Sequence, residues 1–172
     1  MKKIHIIAAA TLATLCMTGA QAQSSTTNGY FGEIGYSQVK VHGAGGGAKP
    51  DAMRFLIGNE INKNWDVEAM YTTTVSKENQ AGYQASVSSF GVMAKPKLAL
   101  TNDTTVFGRV GIMRADITAS ANGSHTATDL AYGLGIQTNF SKSVYGQLDY
   151  LNQYDRGGIS AKGYTLSLGT RF

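Results

Sequence analysis

The sequence of 172 residues has one cysteine, Cys16, which lies in its N-terminal segment. Because we expect that segment to be removed during export, the mature chain contains no cysteine. It therefore cannot form a disulfide, use a thiolate nucleophile or bind a metal through cysteine. A cysteine-free exported chain must be stabilised by backbone hydrogen bonds and packing, a condition that a fully paired β-barrel satisfies.

Prolines, charged clusters and long apolar runs are also scarce. Proline occurs 2 times, and charged residues make up 15% of the chain, against roughly 25% in a typical soluble domain. After residue 22 no apolar run reaches about 18 residues, which excludes a transmembrane helix. Removing Lys2 and Lys3 leaves 13 basic against 11 acidic residues, a net charge of +2. Since the basic residues are scattered singly, this balance argues against nucleic-acid binding.

The first 22 residues have the three parts of a secretory signal peptide. Residues 1–3 carry positive charge, residues 4–17 are mostly apolar, and residues 20–22 read Ala-Gln-Ala, a small-x-small cleavage site. The sequence therefore predicts a signal peptide over residues 1–22 and one mature domain over residues 23–172.

The mature chain alternates between apolar and polar residues over most of its length. At its end, Tyr164, Leu166 and Leu168 alternate with small or polar residues, which is the period of a β-strand with one apolar face. A membrane-spanning strand needs about 9–11 residues, and this segment is long enough. The alternation predicts eight strands, at residues 29–41, 52–61, 65–75, 83–98, 105–118, 128–140, 144–154 and 163–172.

The connections between these strands alternate between long and short. Longer loops at one end and short turns at the other are typical of outer-membrane barrels, whose short turns lie in the periplasm. The first long loop is too rich in glycine to be ordered by itself. The predicted loops are residues 42–50, 76–82, 120–126 and 155–160, and the predicted turns are residues 62–64, 101–104 and 141–143.

Aromatic residues cluster toward the ends of the predicted strands, as in the interfacial girdles of membrane barrels. An even number of strands places both ends of the mature chain on the periplasmic side. The set predicted near that side is Trp65, Phe140 and Phe172, and the set predicted nearer the outside is Tyr36, Tyr71 and Tyr154.

The polar face of the strands distinguishes two kinds of barrel. A soluble, lipocalin-like barrel would expose this face to water, where its many glycines would weaken the strands. Inside a narrow barrel the glycines make room for large charged neighbours. We therefore predict an all-β fold, an eight-stranded antiparallel up-and-down transmembrane β-barrel. Buried charges must be paired, and the charges of this face are predicted to form a paired network that fills the lumen. They are Glu33, Arg54, Glu60, Asp66, Glu68, Lys95, Lys97, Arg109, Asp149 and Arg171.

The signal peptide, the eight strands and the terminal Gly169-Thr170-Arg171-Phe172 together resemble the small bacterial outer-membrane β-barrel family, OmpX-like and opacity-protein-like. The resemblance covers the whole chain. It implies a location in the bacterial outer membrane, contact with outer-membrane lipid and lipopolysaccharide, and recognition of Phe172 by the outer-membrane assembly machinery. Adhesin-type members usually display longer loops or protruding strands, so the short predicted loops argue against adhesion.

Three functions are compatible with these features. The first, which we expect, is a non-enzymatic structural or surface-interaction role in which the outer loops contact a host or neighbouring molecule. The second is a small passive, porin-like pore, if the charges leave a channel for ions or small solutes. The third is a lipid A-modifying enzyme, because His125 lies beside Ser124 and near Asp129, which are ingredients of nucleophilic catalysis. The His-x-Ser pattern of lipid A deacylases is absent at His125, so we expect no enzyme.

The sequence predicts no cofactor and no metal site. His42 and His125 are far apart, and the carboxylates lack ligand spacing. The glycines of residues 43–47 open no helix that would cradle a phosphate. Basic residues near the predicted outer strand ends either meet lipopolysaccharide phosphates or only keep this end soluble. They are Lys40, Lys49, Lys77, Arg114, Arg156 and Lys162.

Overall fold

The structure is a computed structural model that describes residues 29–43, 46–76, 85–119 and 123–172. The predicted signal peptide lies outside these ranges. No helix long and apolar enough to cross a membrane occurs among the described residues. Their strands are β1 (Tyr30–Gly43), β2 (Gly46–Ala48), β3 (Asp51–Asn62), β4 (Trp65–Ser76), β5 (Ala85–Ala99), β6 (Thr104–Ala119), β7 (Gly123–Asn139), β8 (Val144–Arg156) and β9 (Ile159–Arg171).

Eight of these strands close into a barrel. Each long strand pairs antiparallel with the next one along the chain, and β1 pairs with both β3 and β9. The closing ladder runs from the pair Phe31–Arg171 to the pair His42–Ser160, so the sheet has no open edge over this length. The short β2 is an addition that pairs with the outer end of β1. The predicted all-β, eight-stranded antiparallel barrel is therefore confirmed.

Alternate residues of each strand point to opposite sides of the barrel wall. The outward side is apolar: Leu134 is 69% exposed and Leu166 is 66% exposed. The inward side carries charged residues that water does not reach, since Arg54 is 1% exposed and Glu68 is 0% exposed. An apolar exterior around a charged interior is what the predicted lipid-facing wall requires.

The outer connections contain more β-structure than the sequence predicts. The glycine-rich loop includes β2, whose glycines pair with the backbone of β1 and need no side chains to do so. This segment is therefore ordered through its pairing with β1 and not by itself. The last outer loop is shorter than predicted and consists of a turn at Gly157 and Gly158, which have φ angles of 63° and 76°. Two consecutive left-handed residues suit the tight turns that continue strand pairing. Most of the second predicted loop lies outside the described residues.

The hairpin of β6 and β7 extends further outward than the pairing of β7 with its other neighbour, β8. The two strands pair as far as Ala119 and Gly123, but β7 pairs with β8 only from Tyr132 to Asn139. We call residues 114–119 of β6 and residues 123–128 of β7 the outer hairpin. The predicted loop at residues 120–126 is therefore mostly strand, and this end of the barrel protrudes more than loop length suggests.

Tyr154 does not lie in the outer aromatic girdle, although the sequence predicts it there. Its neighbours Tyr150 and Leu148 face outward, and strict alternation would put Tyr154 on the same side. A register shift between Asn152 and Tyr154 interrupts the alternation. Tyr154 is consequently 1% exposed and packs inside the barrel. The girdle prediction is wrong at this residue because one extra residue in a strand exchanges the two faces.

Glycines on the inward face make room for aromatic rings. A Cβ atom at Gly58 would collide with the ring of Phe31, and one at Gly169 would collide with the ring of Tyr145. Sequence analysis assigned this space to large charged neighbours. The rings occupy it instead.

Replacing an inward glycine tests this close packing. We expect Gly58→Ala to lower the free energy of unfolding by roughly 1–3 kcal/mol, because the Phe31 ring must move in a filled lumen. The measurement is urea unfolding in phospholipid vesicles, followed by the fluorescence of Trp65.

The matched control is Gly32→Ala on the neighbouring strand. A Cβ there would come no closer than 3.7 Å to the Leu56 carbonyl oxygen and the Phe172 ring, so the change in unfolding free energy should stay within about 0.5 kcal/mol. Equal effects of the two substitutions would contradict the packing argument.

Candidate functional site

Apolar side chains occupy the outer end of the lumen. A cluster that includes Val39, Val41, Ile117 and Tyr154 is 0–3% exposed. We call this cluster the outer cap; its buried members are Val39, Val41, Ala48, Ala52, Val87, Ala115, Ile117, Tyr154 and Ala161. The outer cap lies between the charged lumen and the outer end of the barrel, and its apolar groups give water and ions no partners.

A layer of uncharged polar side chains lies below the outer cap. The hydroxyls of Ser37 and Thr165 are 2.6 Å apart, and the Ser89 hydroxyl donates to Gln153 Oε1 over 2.9 Å. These four residues are buried. They provide hydrogen-bond partners for one another between the apolar cap and the charges further down.

The ten charged residues that the sequence places on the inward face lie together in the lower lumen, in one connected set of ion pairs. Five are positive and five are negative, so the set is neutral as a whole. They come from seven of the eight wall strands, all except β7. From the outer to the periplasmic end, the contacts are Arg54–Asp149, Asp149–Arg109, Arg109–Glu68, Arg109–Glu33, Glu33–Lys95, Glu68–Lys95, Lys95–Asp66, Asp66–Lys97, Lys97–Glu60 and Glu60–Arg171.

The centre of the network is its driest part. Arg109 Nε donates to Glu68 Oε2 over 2.6 Å, and Arg109 Nη1 lies 2.9 Å from Asp149 Oδ1. Asp149 also binds both terminal nitrogens of Arg54. Lys95 Nζ lies 3.2 Å from Glu68 Oε1. Side-chain exposure is 1% or less for all five residues, and charges this deeply buried are tolerated only because each has an opposite partner.

The periplasmic end of the network reaches solvent. Lys97 Nζ lies 2.5 Å from Asp66 and 3.5 Å from Glu60. Arg171 Nε lies 3.2 Å from the same glutamate, and the side chains of Glu60 and Arg171 are 33% and 18% exposed. The lumen is therefore asymmetric, with water at the periplasmic mouth and an apolar cap at the outer end.

Aromatic and amide side chains complete the network, and sequence analysis did not include them. Lys95 Nζ lies 4.4 Å from the centre of the Phe107 ring, and the Arg109 guanidinium carbon lies 4.8 Å from the same centre. Tyr145 donates to Glu33 over 2.9 Å, as does Gln147 over 2.5 Å. Tyr145 and Gln147 lie at alternate positions of β8 in step with Asp149. This spacing in the sequence would have identified both residues as inward-facing.

The arrangement offers little for catalysis in the part of the chain that is described. Every carboxylate of the network is engaged with a cation, so none is free to act as a base. Among the described residues no group of three or more His, Cys, Asp or Glu is placed to hold a metal ion. His42 points out of the barrel wall, and the side chain of His125 lies outside the described part of the structure.

Phe172 lies apart from the network, at the periplasmic end of the wall. Its backbone N–H donates to the Tyr30 carbonyl over 3.0 Å, and its ring is 50% exposed. Its role as an assembly signal stays a prediction.

The closed sheet, the apolar exterior and the charge-filled interior define a transmembrane β-barrel. A family model described as outer membrane protein beta-barrel domain matches residues 7–172. The chain belongs to this family, as the resemblance predicted, and its setting is the bacterial outer membrane. A comparison with curated proteins finds no match.

Several solved structures share the fold. Ail, the attachment invasion locus protein of Yersinia pestis, is 23% identical, with a TM-score of 0.64 over 84% of this chain and 99% of that one. Neisserial surface protein A is 14% identical, with a TM-score of 0.65 over 86% and 100%. The N-terminal barrel domain of Pseudomonas aeruginosa OprF is 12% identical, with a TM-score of 0.57 over 81% and 97%.

Removing one charge from the buried centre of the network should strongly destabilise the barrel. We expect Asp149→Asn to lower the free energy of unfolding by about 3–5 kcal/mol, because Arg54 and Arg109 lose their shared carboxylate inside the barrel. Urea unfolding in phospholipid vesicles measures this change.

Two further variants separate buried charge from other causes. Asp103→Asn, in an exposed turn, should change stability by less than about 0.5 kcal/mol. Removing charge from both partners, with Arg54→Met and Asp149→Leu together, should be less damaging than Asp149→Asn alone. A double variant at least as unstable as the single one would contradict the assignment.

Proposed function

We propose that this protein is a non-enzymatic outer-membrane barrel that contacts other molecules through its outer end, while its lumen serves as a rigid, sealed interior. The observation that carries the proposal is the filling of the lumen. Ten paired charges, three aromatic rings and the outer cap occupy it, and their central members are shielded from water. An eight-stranded barrel has an interior only wide enough for side chains.

The outer hairpin supports contact at the cell surface. Arg114, Asp116, Thr126 and Thr128 are exposed on its outward face, above the apolar residues Ile112 and Leu130 of the same two strands. Polar side chains on a rigid, protruding pair of strands form a contact surface with little ordering cost on binding.

Two similar structures make surface contact a reasonable starting point. Ail is named an attachment invasion locus protein, and one structure of it, 22% identical to this chain, is a complex with the heparin analogue sucrose octasulfate. Likeness at this level concerns the fold, so the heparin analogue serves here as the source of a first probe.

We also infer an export route from the sequence. A signal peptide over residues 1–22 is cut after Ala22, and the assembly machinery then recognises the last strand through Phe172. Deleting Phe172 should lower the amount of folded barrel in the outer membrane without changing its secretion to the periplasm.

Conductance distinguishes a sealed lumen from a passive pore. We expect the refolded mature barrel to conduct no steady current in a planar bilayer, because the outer cap offers ions no polar path. Single-channel recording measures this, and insertion is verified by protease protection. A steady conductance altered by Arg109→Ala would establish the pore and overturn the sealed interior.

Shortening the outer hairpin tests the contact surface. We expect that replacing residues 116–126 with an Asn-Gly turn, together with Arg114→Gln, leaves the barrel folded but reduces attachment of cells to heparin-coated surfaces several-fold. Lys142→Gln, in a periplasmic turn, is the control and should have no effect. Unchanged attachment of the shortened variant would remove the outer hairpin as the contact surface for this probe.

A further inference from the structure

Three of the four methionines beyond residue 22 lie inside the barrel. Met70, Met93 and Met113 face the lumen from the adjacent strands β4, β5 and β6, and they are 1%, 1% and 0% exposed. The fourth, Met53, lies on the outward face of β3 and is half-buried. The inward three belong to one buried cluster, which we call the methionine cluster: Phe31, Leu56, Met70, Met93, Met113, Ala131, Tyr145 and Leu151.

Close packing in the methionine cluster leaves little space for an added atom. Gly91 pairs with Met70 on one side and with Met113 on the other. A Cβ atom at Gly91 would collide with Met113 Cγ, so the Met113 side chain lies across this glycine. Methionine fills such irregular space because its unbranched side chain is flexible. An oxygen atom added to the sulfur would therefore overpack the lumen.

The methionine cluster is also poorly suited to a polar group. Oxidation converts the apolar thioether of methionine into a polar sulfoxide, and a buried acceptor that finds no donor destabilises the folded state. The only hydroxyl in the cluster, that of Tyr145, already donates to Glu33. Glu68 lies directly opposite Met93, and its carboxylate would repel a sulfoxide oxygen there.

The inward methionines are accessible only before the barrel closes. On the proposed export route, the unfolded chain crosses the periplasm, which is an oxidising compartment. There the sulfur of a methionine can attack hydrogen peroxide: an S–O bond forms, the O–O bond breaks, and the second oxygen leaves as water. After closure the lumen is only wide enough for side chains, so no enzyme can reach these sulfurs.

We propose that Met70, Met93 and Met113 are sites where oxidation blocks folding of this barrel, and that a methionine sulfoxide reductase repairs the unfolded chain before insertion. In the repair step the S–O bond breaks, two thiols are oxidised to a disulfide, and the oxygen leaves as water. The inference is independent of the proposed contact role of the outer hairpin. It uses the proposed export route only to say when the methionines are exposed.

Refolding of lightly oxidised wild-type protein tests the proposal, with Met53 as an internal control. The unfolded mature chain is treated with hydrogen peroxide until most oxidised chains carry a single sulfoxide. It is then refolded into phospholipid vesicles at the urea concentration that unfolds half of the unoxidised protein. Folded and unfolded chains are separated on an unheated gel, and the sulfoxides are mapped by mass spectrometry, because each of these methionines lies in a different tryptic peptide.

We expect the ratio of folded to unfolded chains to fall about tenfold for a sulfoxide at an inward methionine, because a buried acceptor without a donor shifts the folding equilibrium by about that factor. Sulfoxide at Met53 should be equally frequent in both fractions. The effect should be smallest at Met70, because the buried Thr72 hydroxyl on the same strand has no hydrogen-bond partner among the described residues and can donate. It should be largest at Met113, whose inward neighbours on β6 are Gly111 and Ala115.

Enzymatic repair is the second arm of the test. Methionine sulfoxide reductases for both sulfoxide epimers, added with a dithiol to the oxidised unfolded chain, should restore refolding to the level of the unoxidised chain. Inward sulfoxides that are as frequent in folded as in unfolded chains would overturn the proposed sites.

Depletion of inward sulfoxides that persists after complete reduction would overturn the repair step. Variants provide a further check. Replacing the three inward methionines with leucine, which conserves volume, should make refolding insensitive to peroxide, whereas Met53→Leu alone should leave the sensitivity unchanged. These measurements use the purified chain, so their outcome does not depend on the export route.

Discussion

Pairing between the first and the last strand is the constraint on which the rest of this structure depends. Once β1 and β9 join, every inward side chain is confined to a lumen of fixed and small diameter. Charges in that space cannot retreat to water, so they must meet opposite charges. The closed sheet thereby forces the neutrality of the network, and residues as distant in sequence as Arg54 and Asp149 become partners.

The network also fixes the register of the barrel. Its members come from seven strands, and a slip of one residue in any of them would exchange an inward charge for an outward apolar side chain. Arg109 and Lys95 would then each lose one carboxylate partner, and Glu68 would itself face lipid. The alternatives to the native register are consequently penalised on both faces of the wall.

Much of this fold can be read from the sequence because its governing pattern has a period of two. In β7 the apolar Leu134 alternates with Gly133 and Gly135. This alternation indicates the strand, its outward and inward sides, and the curvature of the wall. The pattern fails at the β-bulge before Tyr154, because no side chain there indicates that the strand contains an extra residue. It also fails at β2, where glycines pair through their backbone and leave no side-chain signal.

Within the lumen, the sequence identifies the charges but not their partners. Parity alone puts Glu33, Asp149 and Arg109 on one face. Which of these residues are in contact depends on the stagger between strands, and the linear sequence does not reveal that stagger. The roles of Phe107 and Tyr145 beneath the cations were missed for the same reason, because an aromatic residue on a polar face gains its meaning only from what lies across the barrel.

The asymmetry of the lumen has a consequence for the membrane as a whole. A solute arriving from outside meets hydrocarbon at Val41 and Ile117, whereas water from the periplasm can wet only the mouth at Arg171. In the sealed state that we propose, the barrel is closed at its outer end and open only at its periplasmic end. A cell could then carry many copies of the barrel, with their outer ends on its surface, without making its outer membrane more permeable.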